Sequence, residues 1–280
     1  MVIWENENKN ERIDALTRLV PKKRFAILTL ANICREHDGT FSGAETEPGF
    51  KPDRHFRSFY LYYEGRRLIG ELFIFLTDND RAEITAIVDP CCRKQGVFKK
   101  LLGAAEEELD KYGISDRYFV AEPECEDAKK VIEHFKLTTD HYEHIMEFTG
   151  KESEMPAGEG DNKAGILQEY AVSIEKESDG YHAAIKKVSE TDEIGTANAC
   201  ITGKSVFIYG VEISENYRRQ GLGRKLITEM IGKIREDLPE NAIKLQVSSE
   251  NIPAVGLYKG IGFEIVSSLA YIKALKIERE

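Results

Sequence analysis

An apolar run at residues 206–213 leads into Tyr217-Arg218-Arg219-Gln220-Gly221-Leu222-Gly223-Arg224-Lys225-Leu226. From there Leu222, Leu226, Ile227, Met230, Ile231 and Ile234 fall on one helix face. A strand that enters a glycine turn and then a helix confines the chain to an α/β arrangement. It also leaves unpaired N–H groups at the helix start. Those groups, the helix dipole and glycines that admit close approach favour a phosphate. Arg218, Arg219 and Arg224 add positive charge at the same place. The turn holds no Gly-Lys-Ser/Thr, as a Walker loop requires. Only Gly221 and Gly223 stand where a dinucleotide fingerprint needs three glycines.

Downstream, Leu245-Gln246-Val247-Ser248 is strand-like, and a second helix is predicted after it. Pro253 suits its first turn, and Gly260 and Gly262 suit its end. Asn251 and Tyr258 are two helical turns apart and share a side. Read alone, Asn251 is a helix N-cap and Tyr258 a core aromatic. Together, Arg218-x-x-Gly221-x-Gly223 and Asn251-x-x-Ala254-x-x-x-Tyr258-x-x-x-Gly262-Phe263 resemble the acyl-CoA loop and following helix of the GNAT (Gcn5-related) acetyltransferases. The second segment is similar to that of the ribosomal-protein N-terminal acetyltransferases.

The resemblance implies acetyl-CoA as cosubstrate and no metal. Backbone groups of Val211 and Ile213 would grip the pantetheine and thioester. The loop of Arg218, Arg219, Gln220, Gly221, Leu222, Gly223 and Arg224 would hold the pyrophosphate. The Asn251 amide would bond the pantetheine arm. Tyr258 would lie near the sulfur as general acid. The N-terminal acetyltransferases carry Glu where this chain has Gln246, which cannot accept a proton. Glu212 is the candidate base, set on the opposite side of its strand from Val211 and Ile213. A solvated strand carboxylate, with water as base, is the other reading of Glu212.

A weaker copy of this pattern lies about 125 residues upstream. Arg93, Gln95 and Gly96 match Arg218, Gln220 and Gly221, while Phe98 stands for Gly223, Cys125 for Asn251 and Ile132 for Tyr258. A repeat this long is a duplicated domain. The expected fold is α/β with two GNAT-like domains, each a mixed, largely antiparallel sheet flanked by helices. The expected boundaries are 1–149 for a domain with a degenerate CoA motif, 150–164 for a polar linker and 165–280 for the complete copy. In the first half, helices are expected at 10–20, 22–37, 95–112 and 125–136, and strands at 57–64, 67–76, 81–88, 116–121 and 142–149. In the second, only strands are expected before Ser214, at 167–176, 180–187, 193–201 and 204–213. The helices that wall the acceptor site in the family are thus missing there, and the first domain is the expected substitute.

The net charge of −10 argues against nucleic acid or an anionic membrane as partner and suits a cationic amine acceptor, small molecule or peptide. No apolar run reaches the roughly 20 residues of a membrane span, and the polar N-terminus is no signal peptide. Five cysteines, an odd number without a C-x-x-C pair, point to free thiols and a cytoplasmic location. His141 and His144 read as surface histidines beside a strand. Two functions fit: an N-acetyltransferase working at its C-terminal domain by direct transfer, or a non-catalytic acyl-CoA-binding or regulatory protein. An intact Tyr258 favours the enzyme, since binding alone needs no acid.

Overall fold

The computed structural model describes residues 2–6 by backbone alone, and residues 11–41, 44, 46, 54–77, 80–150, 167–189 and 191–274 in full. The chain forms two compact units, residues 1–142 with 269–280, and residues 143–268. The expected linker, Gly150 apart, lies outside the described residues.

In the first unit β1 (Val2–Asn6), β2 (Glu11–Leu16), β3 (Phe59–Glu64), β4 (Arg67–Leu76) and β5 (Arg81–Val88) pair antiparallel in order. Then β5 pairs parallel with β6 (Asp116–Ala121). Helix α1 (Pro21–Asp38) packs Ile27, Leu30 and Cys34 against Leu61, Tyr63 and Leu68 on one face. Helix α2 (Val97–Lys111) packs Val97, Leu101 and Leu102 against Tyr60, Ile69 and Ile74 on the other. Helix α3 (Glu126–His134) follows β6.

The expected helix at 10–20 is a strand from Glu11 to Leu16. Ile13 and Leu16 fit a helical period. Yet Ile13 and Ala15 are its buried apolar residues, opposite Tyr62 and Tyr60 in one core cluster, and their period is two. The strand β1 was not expected either.

In the second unit β8 (Tyr170–Lys176), β9 (Gly180–Lys187), β10 (Glu193–Thr202) and β11 (Ser205–Ile213) form an antiparallel meander. Helix α4 (Leu222–Asp237) leads to β12 (Ala242–Ser248), which pairs parallel with β11. Helix α5 (Ile252–Ile261) follows. Both helices bury their apolar stripes on one sheet face, Leu226, Met230 and Tyr258 meeting Ile208, Leu245 and Val247. Among the described residues no helix covers the opposite face.

The strand after each copy's last helix changes unit. From β7 (Thr138–Phe148), residues Glu143 to Glu147 pair with β12 in the second unit. From β13 (Phe263–Lys273), residues Ala270 to Lys273 pair with β6 in the first. Residues 143–148 thus lie ahead of the expected linker yet within the second unit.

In both units the parallel pair separates. The last rungs are Ile84↔Phe119 and Ile208↔Leu245, and beyond them β5 and β11 stay paired only on their other edges, with β4 and β10. The two copies differ at this point. The ladder between β4 and β5 is regular. The ladder between β10 and β11 slips between Thr196↔Glu212 and Asn198↔Tyr209, so Gly210 and Val211 together face Ala197. That is a β-bulge, one extra residue in a strand of nine where β5 has eight. Gly210 occupies the left-handed region at φ +59°, which a glycine adopts without steric cost.

Candidate active site

The turn after each splayed strand has the same construction. A short 3-10 turn, Pro90–Cys92 or Glu215–Tyr217, precedes it. Arg93 Nε donates to the Val88 carbonyl at 3.0 Å, and Arg218 Nε to the Ile213 carbonyl at 2.8 Å. Gln95 and Gln220 reach back to the carbonyls of Cys91 and Asn216. Lys94 and Arg219 have φ of +62° and +61°, and Gly96 and Gly221 cap their helices at +80° and +88°. Alternating backbone hand of this kind gathers N–H groups into a concavity that suits an anion. The first turn of α4 adds the N–H groups of Leu222, Gly223 and Arg224, which have no intrahelical acceptor. The Gly203-Lys204-Ser205 tripeptide, by contrast, is the hairpin turn between β10 and β11 and precedes no helix.

The electrostatics of the two turns differ. Arg218 and Arg219 are exposed and have no carboxylate partner among the described residues. In the first unit Arg93 is bound to Asp38 at 2.6 Å and to Asp127 at 2.8 Å. Lys130 and Arg93 hold the Asp127 carboxyl down at about 2. Residues at the end of α1 also cross the opening between β5 and β6. Cys34 Sγ donates to the Val88 carbonyl, and the Phe41 N–H donates to the Glu122 carboxylate at 2.8 Å. Burial pushes the Cys34 thiol up to about 11.

The side chain of Arg224, an expected phosphate contact, is engaged within the second unit. Arg224 Nη1 donates to the Gly260 carbonyl at 2.6 Å and so ties α4 to the end of α5. A Cβ on Gly223 would stand 3.4 Å from Leu257 Cδ2, an ordinary contact distance. Phe98, its counterpart, turns onto Phe119 with ring centroids 5.9 Å apart.

Asn251 caps α5, its Oδ1 accepting from the Ala254 N–H at 3.2 Å. Cys125 caps α3 with no side-chain bond. Tyr258 is buried on the helix face of the sheet, edge-on to Phe263 at 5.9 Å. Burial raises its pKa and keeps the hydroxyl protonated at neutral pH.

The helix-free face carries the rest. Val206 and Ile208 point into the core, and the bulge lets Val211 and Ile213 pack there too. Tyr209 and Glu212 therefore share the open face, and Glu212 is exposed. Opposite them on β10 are Asn198 and Thr196. A Cβ on Gly210 would lie 3.0 Å from Asn198 Nδ2, and Asn198 Oδ1 is 2.8 Å from His182 Nδ1. Gln246 stands just past the last rung of the parallel pair, with the Glu143 carboxylate bonded to its amide. Sequence reasoning missed His182, Asn198 and Glu143. Strand alternation places each on a face, but their partners come from other strands.

His141 bonds Asp140 and stacks on Tyr271, and His144 bonds Ser268. All five cysteines are free thiols. Among the described residues no helix is long and apolar enough to cross a membrane.

The sequence profile of the acetyltransferase (GNAT) family matches residues 28–135 and 143–263. An N-alpha-acetyltransferase of Sulfurisphaera tokodaii is 31% identical over 71 residues, which are 25% of this chain and 42% of that protein. The chain thus spans under half the length of that relative. A GCN5-related N-acetyltransferase from Sphaerobacter thermophilus is similar in structure, with a TM-score of 0.73, 14% identity and 95% of each chain covered. A tandem GNAT protein from the clavulanic acid biosynthesis pathway is similar at 0.67 and 13% identity, over 94% of this chain and 98% of that one. At such identities the structural likeness speaks to the fold alone. The profile takes up most of the chain in two segments, one per repeat, and this chain belongs to the acetyltransferase (GNAT) family as a tandem of two copies.

Proposed function

We propose that the second unit is the working acetyltransferase and that it transfers acetyl from acetyl-CoA directly to a primary amine. The observation that carries this is the bulge at Gly210 and Val211, which the first unit lacks. An extra residue in one strand leaves a ladder N–H without its cross-strand partner. A free N–H beside the opening between β11 and β12 is suited to bond an oxygen that gains negative charge during acyl transfer.

The residues present fit the cosubstrate. Gly221 and the start of α4 offer N–H groups to the pyrophosphate, and Arg218 and Arg219 bring charge that no carboxylate among the described residues cancels. Backbone groups of Val211, Ile213, Gln220 and Leu222 would continue the same path, and the Asn251 amide nitrogen would serve as a donor while its oxygen caps α5. Acetyl-CoA supplies an activated acyl group with a thiolate leaving group. The chain itself has to orient the pantetheine and stabilise the carbonyl oxygen. It must also admit a neutral amine and return a proton to sulfur. Tyr258 is the donor to sulfur, kept protonated by burial. Glu212 is a carboxylate on the open face, from which the amine enters. In the first unit Asp38 and Asp127 neutralise the loop arginine and oppose a pyrophosphate.

The test is a panel of polyamines, aminoglycosides, amino acids and peptide N-termini, scored by release of the CoA thiol. Turnover of at least one amine class supports the reading. Tight acetyl-CoA binding without turnover across the panel assigns the chain to acyl-CoA binding or regulation instead.

A further inference from the structure

Beyond the last rung Ile208↔Leu245, the first side chains on the open face are Tyr209 on β11 and Gln246 on β12. They flank the mouth of the splay on the side away from α4 and α5. The next strand outward is β7, antiparallel to β12, with Glu143 opposite Ser248 and Ile145 opposite Gln246. Paired residues share a face, so Glu143 points to the same side as Gln246, its diagonal neighbour. The contact is made: Gln246 Nε2 donates to Glu143 Oε2. An amide donor fixes the position of a carboxylate. Farther along the same strand, Glu147 pairs with Lys244 at 3.4 Å.

We infer that Glu143 is the carboxylate that receives the amine at the mouth of the splay and takes its proton, with Gln246 as its positioning residue. This rests on the second unit being the site of acetyl transfer. The ammonium docks against the carboxylate and loses one proton to solvent. As the amine nitrogen bonds to the acetyl carbon and the carbon–sulfur bond breaks, a second proton passes from nitrogen to Glu143. Tyr258 gives its proton to the thiolate and regains one through solvent from Glu143, so the cycle closes without another reactant. Glu212 lies past the bulge, three residues farther along β11 than Tyr209, and is exposed with no side-chain partner among the described residues. Glu143 is held in place and Glu212 is not.

The test compares wild type, Glu143→Gln, Glu212→Gln and the exchange Glu143→Gln with Gln246→Glu, all in the full chain. If Glu143 takes the proton, Glu143→Gln lowers kcat by about 10²–10⁴-fold while the acetyl-CoA Kd stays within about twofold. The exchange returns a carboxylate to the pair and recovers at least about tenfold of the loss, a rescue that a merely structural role would not give. Wild-type kcat in Glu143→Gln, or a loss confined to Glu212→Gln, overturns the inference and leaves acetyl transfer standing. If the wild type acetylates no amine, acetyl transfer itself fails. Calorimetry of n-butylamine and spermidine into CoA-saturated protein then decides on Glu143. Weakening of at least about fivefold in Glu143→Gln supports it as the amine-receiving group, and equal or absent binding removes it.

Discussion

Arg93 grips Asp38 with both Nη atoms, at 2.6 and 2.7 Å, whereas Arg218, its counterpart in the second repeat, makes among the described residues only a backbone contact, from Nε to the Ile213 carbonyl. The two arginines hold their turns in the same way through Nε. What separates them is whether the charged end is already satisfied. A guanidinium bound on both nitrogens by a carboxylate has little left to offer a phosphate.

Acetyl-CoA is therefore expected to bind at one strong site per chain. Gly221→Glu abolishes it by setting bulk and negative charge at the anion cradle, whereas Gly96→Glu leaves it intact. Both glycines are left-handed, at φ +88° and +80°, so the two variants carry the same backbone cost of about 1–2 kcal/mol and control for each other. Titration calorimetry reads the outcome. Two equal sites, or loss only in Gly96→Glu, would place the cofactor in the other repeat.

Deleting Gly210 shortens β11 to the length of β5 and restores a regular ladder. The deletion variant is expected to fold and to keep acetyl-CoA affinity within about tenfold. Its kcat should fall about 10²–10³-fold, the usual cost of one oxyanion donor. Steady-state kinetics beside calorimetry make the comparison. Unchanged kcat would show that the bulge takes no part in catalysis.

Tyr258→Phe removes one hydroxyl and little packing. If this group protonates the thiolate, kcat falls by about 10²–10⁴-fold while acetyl-CoA affinity is kept. Product release can mask part of this loss, so single-turnover rates are the measurement. An unchanged chemical step would mean that water protonates the sulfur.

The first unit should lose stability in acid through its loop arginine. Lys130 and Arg93 hold Asp127 at about 2. Burial pushes Asp38 up, but the Arg93 hydrogen bond and charge, with His37, bring it below its ordinary value. A carboxylate depressed in the folded state adds stability above its unfolded pKa of about 3.9, and that stability drains as pH falls through the folded value. Thermal denaturation between pH 4 and pH 2 should therefore show a shallower fall in Tm for Arg93→Ala than for wild type. Parallel curves would mean that the pairing contributes nothing to the acid dependence.

The duplication and the strand–turn–helix of each copy were legible because they rest on local signals. Glycine position, apolar period and a run of arginines act over a few residues. The strand at Glu11–Leu16 was misread because six residues satisfy both periods, and only the ladder to β3 decides between them. The side-chain partner of Arg224 could not be read from its place in the motif, because the Gly260 carbonyl lies on another helix.

The sequence by itself determined that two GNAT copies stand in tandem and that the second keeps Arg218, Gly221, Asn251 and Tyr258. Only the tertiary structure decided that Arg93 is neutralised by Asp38, that β11 bulges at Gly210 and that Glu143 meets Gln246. The physical reason is separation along the chain. A cradle for an anion is built from neighbouring peptide units. An ion pair, a slipped ladder and a cross-strand hydrogen bond depend on which distant segments the fold brings side by side.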